Sequence, residues 1–138
     1  MNIYFAASIR GGNQDVAYYQ KLIDYLRKFG NVLTEHIGVE NIDSLESKNQ
    51  SDEEIHNRDM SWLLSADIVI AEVSTPSLGV GYELGRAFDA QKPIVCLFRA
   101  ENGKRLSAMI SGNKQIKVFE YKSIEEAQKY IDSIFNSI

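Results

Sequence analysis

The chain has 138 residues, 44% hydrophobic and 25% charged, which is the make-up of one ordinary globular domain and excludes a fibre or a wholly disordered chain. Fifteen Lys and Arg against nineteen Asp and Glu leave a formal net charge of −4, which argues against a nucleic-acid polymer, whose binding depends on clustered cations. The apolar runs span a handful of residues rather than the ~20 a bilayer demands, no basic leader precedes the first strand-like run, and the lone Cys96 has no internal disulfide partner. These features point to a cytoplasmic chain without membrane association.

Asn2 to Ala7 reads as a first strand, followed by Ser8-Ile-Arg-Gly-Gly12 and then a helical pattern placing Val16, Tyr19, Leu22, Ile23, Leu26 and Phe29 on one face. Gly30 is a helix stop, and Asn31 to Thr34 is a short second strand. The pattern dissolves between Glu35 and Gln50, where a loop is expected. Ser51-Asp-Glu-Glu54 has the spacing of a capping box and opens a helix carrying Ile55, Met60, Leu63 and Leu64. Asp67 to Val73 is apolar nearly throughout, as a strand covered on both faces should be. The loop Ser74-Thr-Pro-Ser-Leu-Gly79 leads to a helix expected over Tyr82 to Ala90, then a strand from Pro93 to Phe98. A helical turn around Leu106 to Ile110, a strand from Gln115 to Tyr121 and a helix from Ser123 to Phe135 complete the chain.

Short apolar runs alternating with helical patterns imply a single three-layer α/β domain spanning 1–138, with five parallel strands flanked by helices. Such sheets bind ligands beyond the carboxyl ends of their strands, at the switch in strand order. The loops after the first and third strands should therefore form the site. Ser8-Ile-Arg-Gly-Gly12 offers a hydroxyl, the Arg10 guanidinium and two glycines, a set suited to a small anion. It matches neither the Walker A nor the G-x-G-x-x-G pattern, and a plain flexible turn at Gly11-Gly12 is the alternative. The hydroxyl- and glycine-bearing loop after the third strand is a second anion cradle. Glu83 is expected in the first turn of the next helix, either as an ionised nucleophile or as a carboxylate that merely complements the helix dipole. Asp59, and Glu72 at the end of the third strand, are further candidates for acid–base work, with pairing to a cation such as Arg58 as the alternative for Asp59. Tyr4 reads as packing with a satisfied hydroxyl. Neither His36 nor His56 has metal-ligand spacing, so no metal and no cofactor is expected.

Five segments carry a family resemblance. Tyr4-Phe-Ala-Ala-Ser-Ile-Arg-Gly-Gly12, Val32-Leu-Thr-Glu-His36, Ile55-His-Asn-Arg-Asp59, Ala71-Glu-Val-Ser-Thr-Pro-Ser-Leu-Gly-Val-Gly-Tyr-Glu-Leu-Gly-Arg86 and Leu106-Ser-Ala-Met-Ile110 occur in order. Together they closely resemble the 2′-deoxynucleoside 5′-phosphate N-hydrolases of the nucleoside 2-deoxyribosyltransferase superfamily. The resemblance implies a flavodoxin-like homodimer that splits a deoxynucleoside monophosphate into free base and 2-deoxyribose 5-phosphate. Glu83 then matches the nucleophile at C1′, Asp59 the acid that positions the nucleotide and assists base departure, and Tyr4 the tyrosine beside sugar and nucleophile. Ser8, Ile9, Arg10, Gly11 and Gly12 with Ser77 and Gly79 match the phosphate side, Ala7, His36 and again Ile9 fall on the base side, and Asn13 counts among the substrate-binding residues. Ser107, with Ala108 and Met109, matches the segment that reaches the neighbouring subunit's site. Ala7 stands where relatives often have glycine, and the 37–54 segment has its own composition, both on the base-facing side. A deoxyribosyltransferase, a ribonucleotide N-glycosidase and a non-catalytic nucleotide-binding module share these features and stay open at this point.

Overall fold

The computed structural model describes residues 1–9, 13–34, 50–101 and 103–138, with the side chains of residues 13 and 14 outside the description. Five strands, β1 (Asn2–Ala7), β2 (Asn31–Leu33), β3 (Ile68–Glu72), β4 (Ile94–Phe98) and β5 (Ile116–Glu120), form one sheet in the order β2-β1-β3-β4-β5. Every pairing is parallel, with Tyr4 opposite Leu33 on one side and Val69 on the other. The order reverses between β1 and β3, so the switch point lies at their carboxyl ends.

Helices α1 (Asn13–Leu26) and α5 (Ile124–Asn136) cover one face, while α2 (Asp52–Ser65) and α3 (Leu78–Asp89) cover the other. A short α4 (Ala108–Ser111) precedes β5. The sheet's two-residue alternation sorts the core accordingly. Ile3, Phe5, Ile68, Ile70, Val95 and Leu97 meet Tyr19, Leu22, Leu26 and Ile131. Tyr4, Ala6, Val69, Ala71 and Cys96 meet Met60, Leu63, Val80 and Leu84.

Serines start four helices. Ser51 and Glu54 form the expected capping box, the Glu54 N–H donating to Ser51 Oγ at 3.1 Å and the Ser51 N–H to Glu54 Oε1 at 3.3 Å. Ser77, Ser107 and Ser123 accept from Val80, Met109 and Glu126 N–H groups at 3.2 Å each. The expected helix over Tyr82 to Ala90 begins four residues earlier, at Leu78, because Ser77 caps it and Val80, Leu84 and Ala87 supply a buried face that outweighs Gly79 and Gly81. Gly30 follows a run of turns after α1, and its reason is packing. A Cβ there would lie 2.5 Å from the Met1 carbonyl oxygen. No helix among the described residues is long and apolar enough to cross a membrane.

Candidate active site

Beyond β1 and β3, between α2 and α3, lies a cavity of about 270 Å³. Tyr4, Ala7 and Ile9 enter it from β1 and the residues after it. Ile55, His56, Asp59 and Met60 come from one face of α2, at the three- and four-residue spacing that brings helix side chains together. Ser77, Gly79, Val80, Tyr82 and Glu83 come from the cap and first turns of α3. Seven of the sequence-named residues thus share one space: Tyr4, Ala7, Ile9, Asp59, Ser77, Gly79 and Glu83.

Glu83 is the sixth residue of α3, and no acidic residue occupies that helix's first turn. The dipole argument therefore does not apply to it, since the effect fades beyond the first turn. What orients Glu83 is a tyrosine. Tyr4, the third residue of β1 and 2% exposed, donates its hydroxyl to Glu83 Oε2. A buried ring fixes the position of that hydroxyl, and the hydroxyl fixes the rotation of the carboxylate.

Asp59 satisfies both of its sequence readings. It lines the cavity, and its Oδ1 accepts from Arg58 Nε and Nη2 at 3.2 Å. Arg58 is held in turn by Gln50 Oε1 at 2.8 Å and by the Trp62 ring, 4.7 Å from its guanidinium carbon. The carboxylate thus has a cation bound on one side.

Besides the apolar Ile55, Met60 and Val80, two polar lining residues, His56 and Tyr82, were not singled out as site residues from the sequence. His56 Nε2 lies 2.8 Å from the Tyr82 hydroxyl, which also accepts from Arg86 Nη1 at 2.9 Å, and His56 Nδ1 lies 3.0 Å from Asn57 Oδ1. Spacing could have found both, because His56 stands three residues before Asp59 and Tyr82 is adjacent to Glu83.

Ser107 and Met109 lie elsewhere. They line a separate groove of about 540 Å³ with Pro76, Leu78, Phe98 and Leu106, and Ser77 borders both spaces. The groove is strongly apolar, with Leu78 96% and Met109 81% exposed. Ala108 opens α4 and lines neither space, and Ser8 is buried at the end of β1 without lining either. Asn13 begins α1. The expectations on Arg10, Gly11, Gly12 and His36 fall outside the described residues.

Glu72 does not join Glu83 or Asp59 over the cavity, because strand alternation turns it to the α1/α5 face. It is fully buried and accepts from Ser74 N at 2.7 Å, Ser74 Oγ at 2.9 Å, the Tyr121 hydroxyl and Arg99 Nη1 at 3.3 Å. Burial raises its carboxyl above the ordinary value, against the pull of those donors. Arg99 also binds Asp15 Oδ1 at 2.7 Å through Nη2 and Tyr121 Oη at 2.9 Å through Nη1. Arg99 Nε also lies 3.5 Å from Glu101 Oε1, and Tyr121, Glu72 and Asp15 raise the guanidinium's pKa despite its burial. Among the described residues, no group of three or more His, Cys, Asp or Glu could hold a metal.

Residues 3–123 match the family profile described as Nucleoside 2-deoxyribosyltransferase. A zebrafish (Danio rerio) protein named 5-hydroxymethyl-dUMP N-hydrolase is 46% identical, over 100% of this chain and 98% of its own. A human protein of the same name is 44% identical, over 98% of this chain and 79% of its own. In fold, the chain is similar to a CMP N-glycosidase of Clostridium botulinum, with a TM-score of 0.71 at 18% identity over 96% of this chain and 99% of that one. A 2-deoxyribosyltransferase from Bacillus psychrosaccharolyticus superposes with a TM-score of 0.70 at 17% identity, over 98% and 96% of the two chains. The profile spans most of this sequence and the curated relatives align over nearly all of it, so the chain belongs to the nucleoside 2-deoxyribosyltransferase family.

Proposed function

We propose that this protein hydrolyses the N-glycosidic bond of 2′-deoxynucleoside 5′-monophosphates, releasing a free base and 2-deoxyribose 5-phosphate, with Glu83 as the nucleophile. The observation that carries the reading is the carboxylate of Glu83 held by the buried Tyr4 hydroxyl at the wall of a cavity that Asp59 also lines. The names of the zebrafish and human relatives support the reaction class and the monophosphate.

The chemistry follows from charge. Breaking the bond between C1′ and the base leaves positive charge on the sugar, and an ionised carboxylate beneath C1′ stabilises it. A Glu83 oxygen bonds to C1′ while the C1′–N bonding pair leaves with the base, which takes up a proton. Asp59 holds the nucleotide for this step and assists the departing base. Water then attacks C1′, the bond to Glu83 breaks, and the proton of that water is released. The Tyr4 ring crowds the space near C2′, so that a 2′-hydroxyl is disfavoured and deoxyribose is selected. Binding energy from the phosphate, remote from the bond broken, is spent on orientation at C1′.

Phosphate binding draws on Ser8, Arg10, Gly11, Gly12 and Asn13 with Ser77 and Gly79, and the base side on Ala7, Ile9 and His36. Ser77 already accepts from the Val80 N–H, so its hydroxyl proton remains to be donated to a phosphate oxygen. The protein works as a homodimer whose apolar groove receives a second copy, bringing Ser107, Ala108 and Met109 to the neighbour's site. In support, Ser107 and Met109 line the groove rather than the cavity that holds Glu83. Ser107→Ala should raise KM for a monophosphate by about five- to tenfold, the worth of one charge-assisted hydrogen bond. An unchanged KM would count against the shared site. A cytoplasmic setting fits the single thiol, Cys96, which is buried in β4.

The deciding experiment is a substrate panel assayed for released base. It comprises the common deoxynucleoside monophosphates, 5-hydroxymethyl-dUMP, the matching nucleosides without phosphate, and the ribonucleotides. Release from deoxy-monophosphates, at least about a hundredfold above nucleosides and ribonucleotides, is expected. Transfer of the sugar between bases from free nucleosides would instead make the protein a deoxyribosyltransferase. Tight binding with no release over hours would make it a binding module.

A further inference from the structure

One cluster of charged side chains takes no part in the reaction just described. The guanidinium of Arg99, directly after β4 and 5% exposed, collects the last residue of β3 (Glu72), the residue after β5 (Tyr121) and the first turn of α1 (Asp15). Its plane stacks on a second α1 residue, its carbon lying 3.8 Å from the Tyr18 ring centre. Asp15 has its other oxygen, Oδ2, bound by Thr75 Oγ1 at 2.6 Å. Ser74, the neighbour of Thr75, donates to Glu72 through both N and Oγ, and its Oγ accepts from the Arg99 backbone N–H at 2.8 Å.

The loop after β3 and the start of α1 are therefore tied to each other, and to the sheet, through one guanidinium. These are the two segments that flank the proposed phosphate site. Thr75 stands two residues before Ser77, and Asp15 two residues after Asn13. Glu101 Oε1 also lies 3.5 Å from Arg99 Nε, so the cluster sets three carboxyl groups against one cation. It cannot serve by attracting a phosphate. What it supplies is geometry.

We propose that Asp15, fixed by Arg99 on one oxygen and bonded to Thr75 on the other, is a positioning residue that sets the spacing of the two phosphate-binding segments. This rests on the assignment of the 5′-phosphate to those segments. Donors that must converge on one phosphate lose strength steeply when misplaced, and an error near 1 Å can cost about a hundredfold. Thr75→Val removes the tie between loop and helix while keeping the shape of the side chain and leaving the buried ion pairs intact. Tyr121→Phe is its counterpart, removing a hydroxyl from the same cluster without touching the loop or α1.

Calorimetric titration with 2-deoxyribose 5-phosphate reads the effect without turnover. Thr75→Val should weaken binding at least fivefold and Tyr121→Phe less than twofold, although both lower the melting temperature. Equal affinity of Thr75→Val and the unmodified chain, or an equal loss in the two variants, would overturn the inference and leave the cluster a matter of stability alone. An unmodified chain that does not bind the sugar phosphate would also overturn it. Base release from monophosphates is measured separately, so failure of the hydrolase reading registers there and not in the affinity ratio.

Discussion

Two glutamates stand near the carboxyl edge of the same sheet, and their surroundings give them opposite uses. Glu72 looks toward α1 and α5, is fully buried and is met by donors from Ser74, Arg99 and Tyr121. Glu83 is held by the Tyr4 hydroxyl at the wall of the cavity that α2 also lines, on the other face. A carboxylate ringed by donors is tied up in structure, with its lone pairs committed. One that borders a cavity, with its rotation fixed, can approach a ligand. Residue type does not separate the two. The face of the sheet does.

Removing each carboxylate in turn should separate stability from activity. Glu72→Ala leaves the buried Ser74 and Tyr121 donors without their acceptor while Arg99 keeps Asp15, and about 2–4 kcal/mol of unfolding free energy should be lost, measured by denaturant titration. A loss below about 1 kcal/mol would mean that the cluster is far better hydrated than its burial implies. A smaller effect concerns pH. Because burial raises the Glu72 carboxyl above its ordinary value, the folded chain binds a proton there that the unfolded chain has already released. Its contribution to stability therefore weakens as pH rises from the ordinary carboxylate value through the raised one. Glu72→Gln should flatten that part of the stability–pH curve. An unchanged curve would place the titration on other groups.

Much of the architecture was legible because it is local. The apolar runs that form β1, β3 and β4 are bounded within a residue of where they were expected, and the Ser51–Glu54 capping box stands as its spacing indicated. The start of α3 differs from the expected one, because the Ser77 cap and the apolar face of Val80 and Leu84 prevail over the loop character of Gly79 and Gly81. At the site, the α2 and α3 residues were accessible from helical spacing. Tyr4 meets Glu83 across 79 residues of chain, a contact that no periodicity encodes. That pairing came from the family resemblance, whereas the Arg99 cluster is encoded by no periodicity and was not part of the resemblance. Asp15 and Arg99 are 84 positions apart, and each alone reads as an ordinary surface charge.

The proposed reaction depends on the carboxylate of Glu83. The most direct test is the rate of base release from a deoxynucleoside monophosphate by Glu83→Gln, beside the unmodified chain, with folding checked by thermal melting. The variant should melt near the unmodified temperature and release base at least about a thousandfold more slowly. Release within tenfold of the unmodified rate, from a properly folded variant, would contradict the assignment.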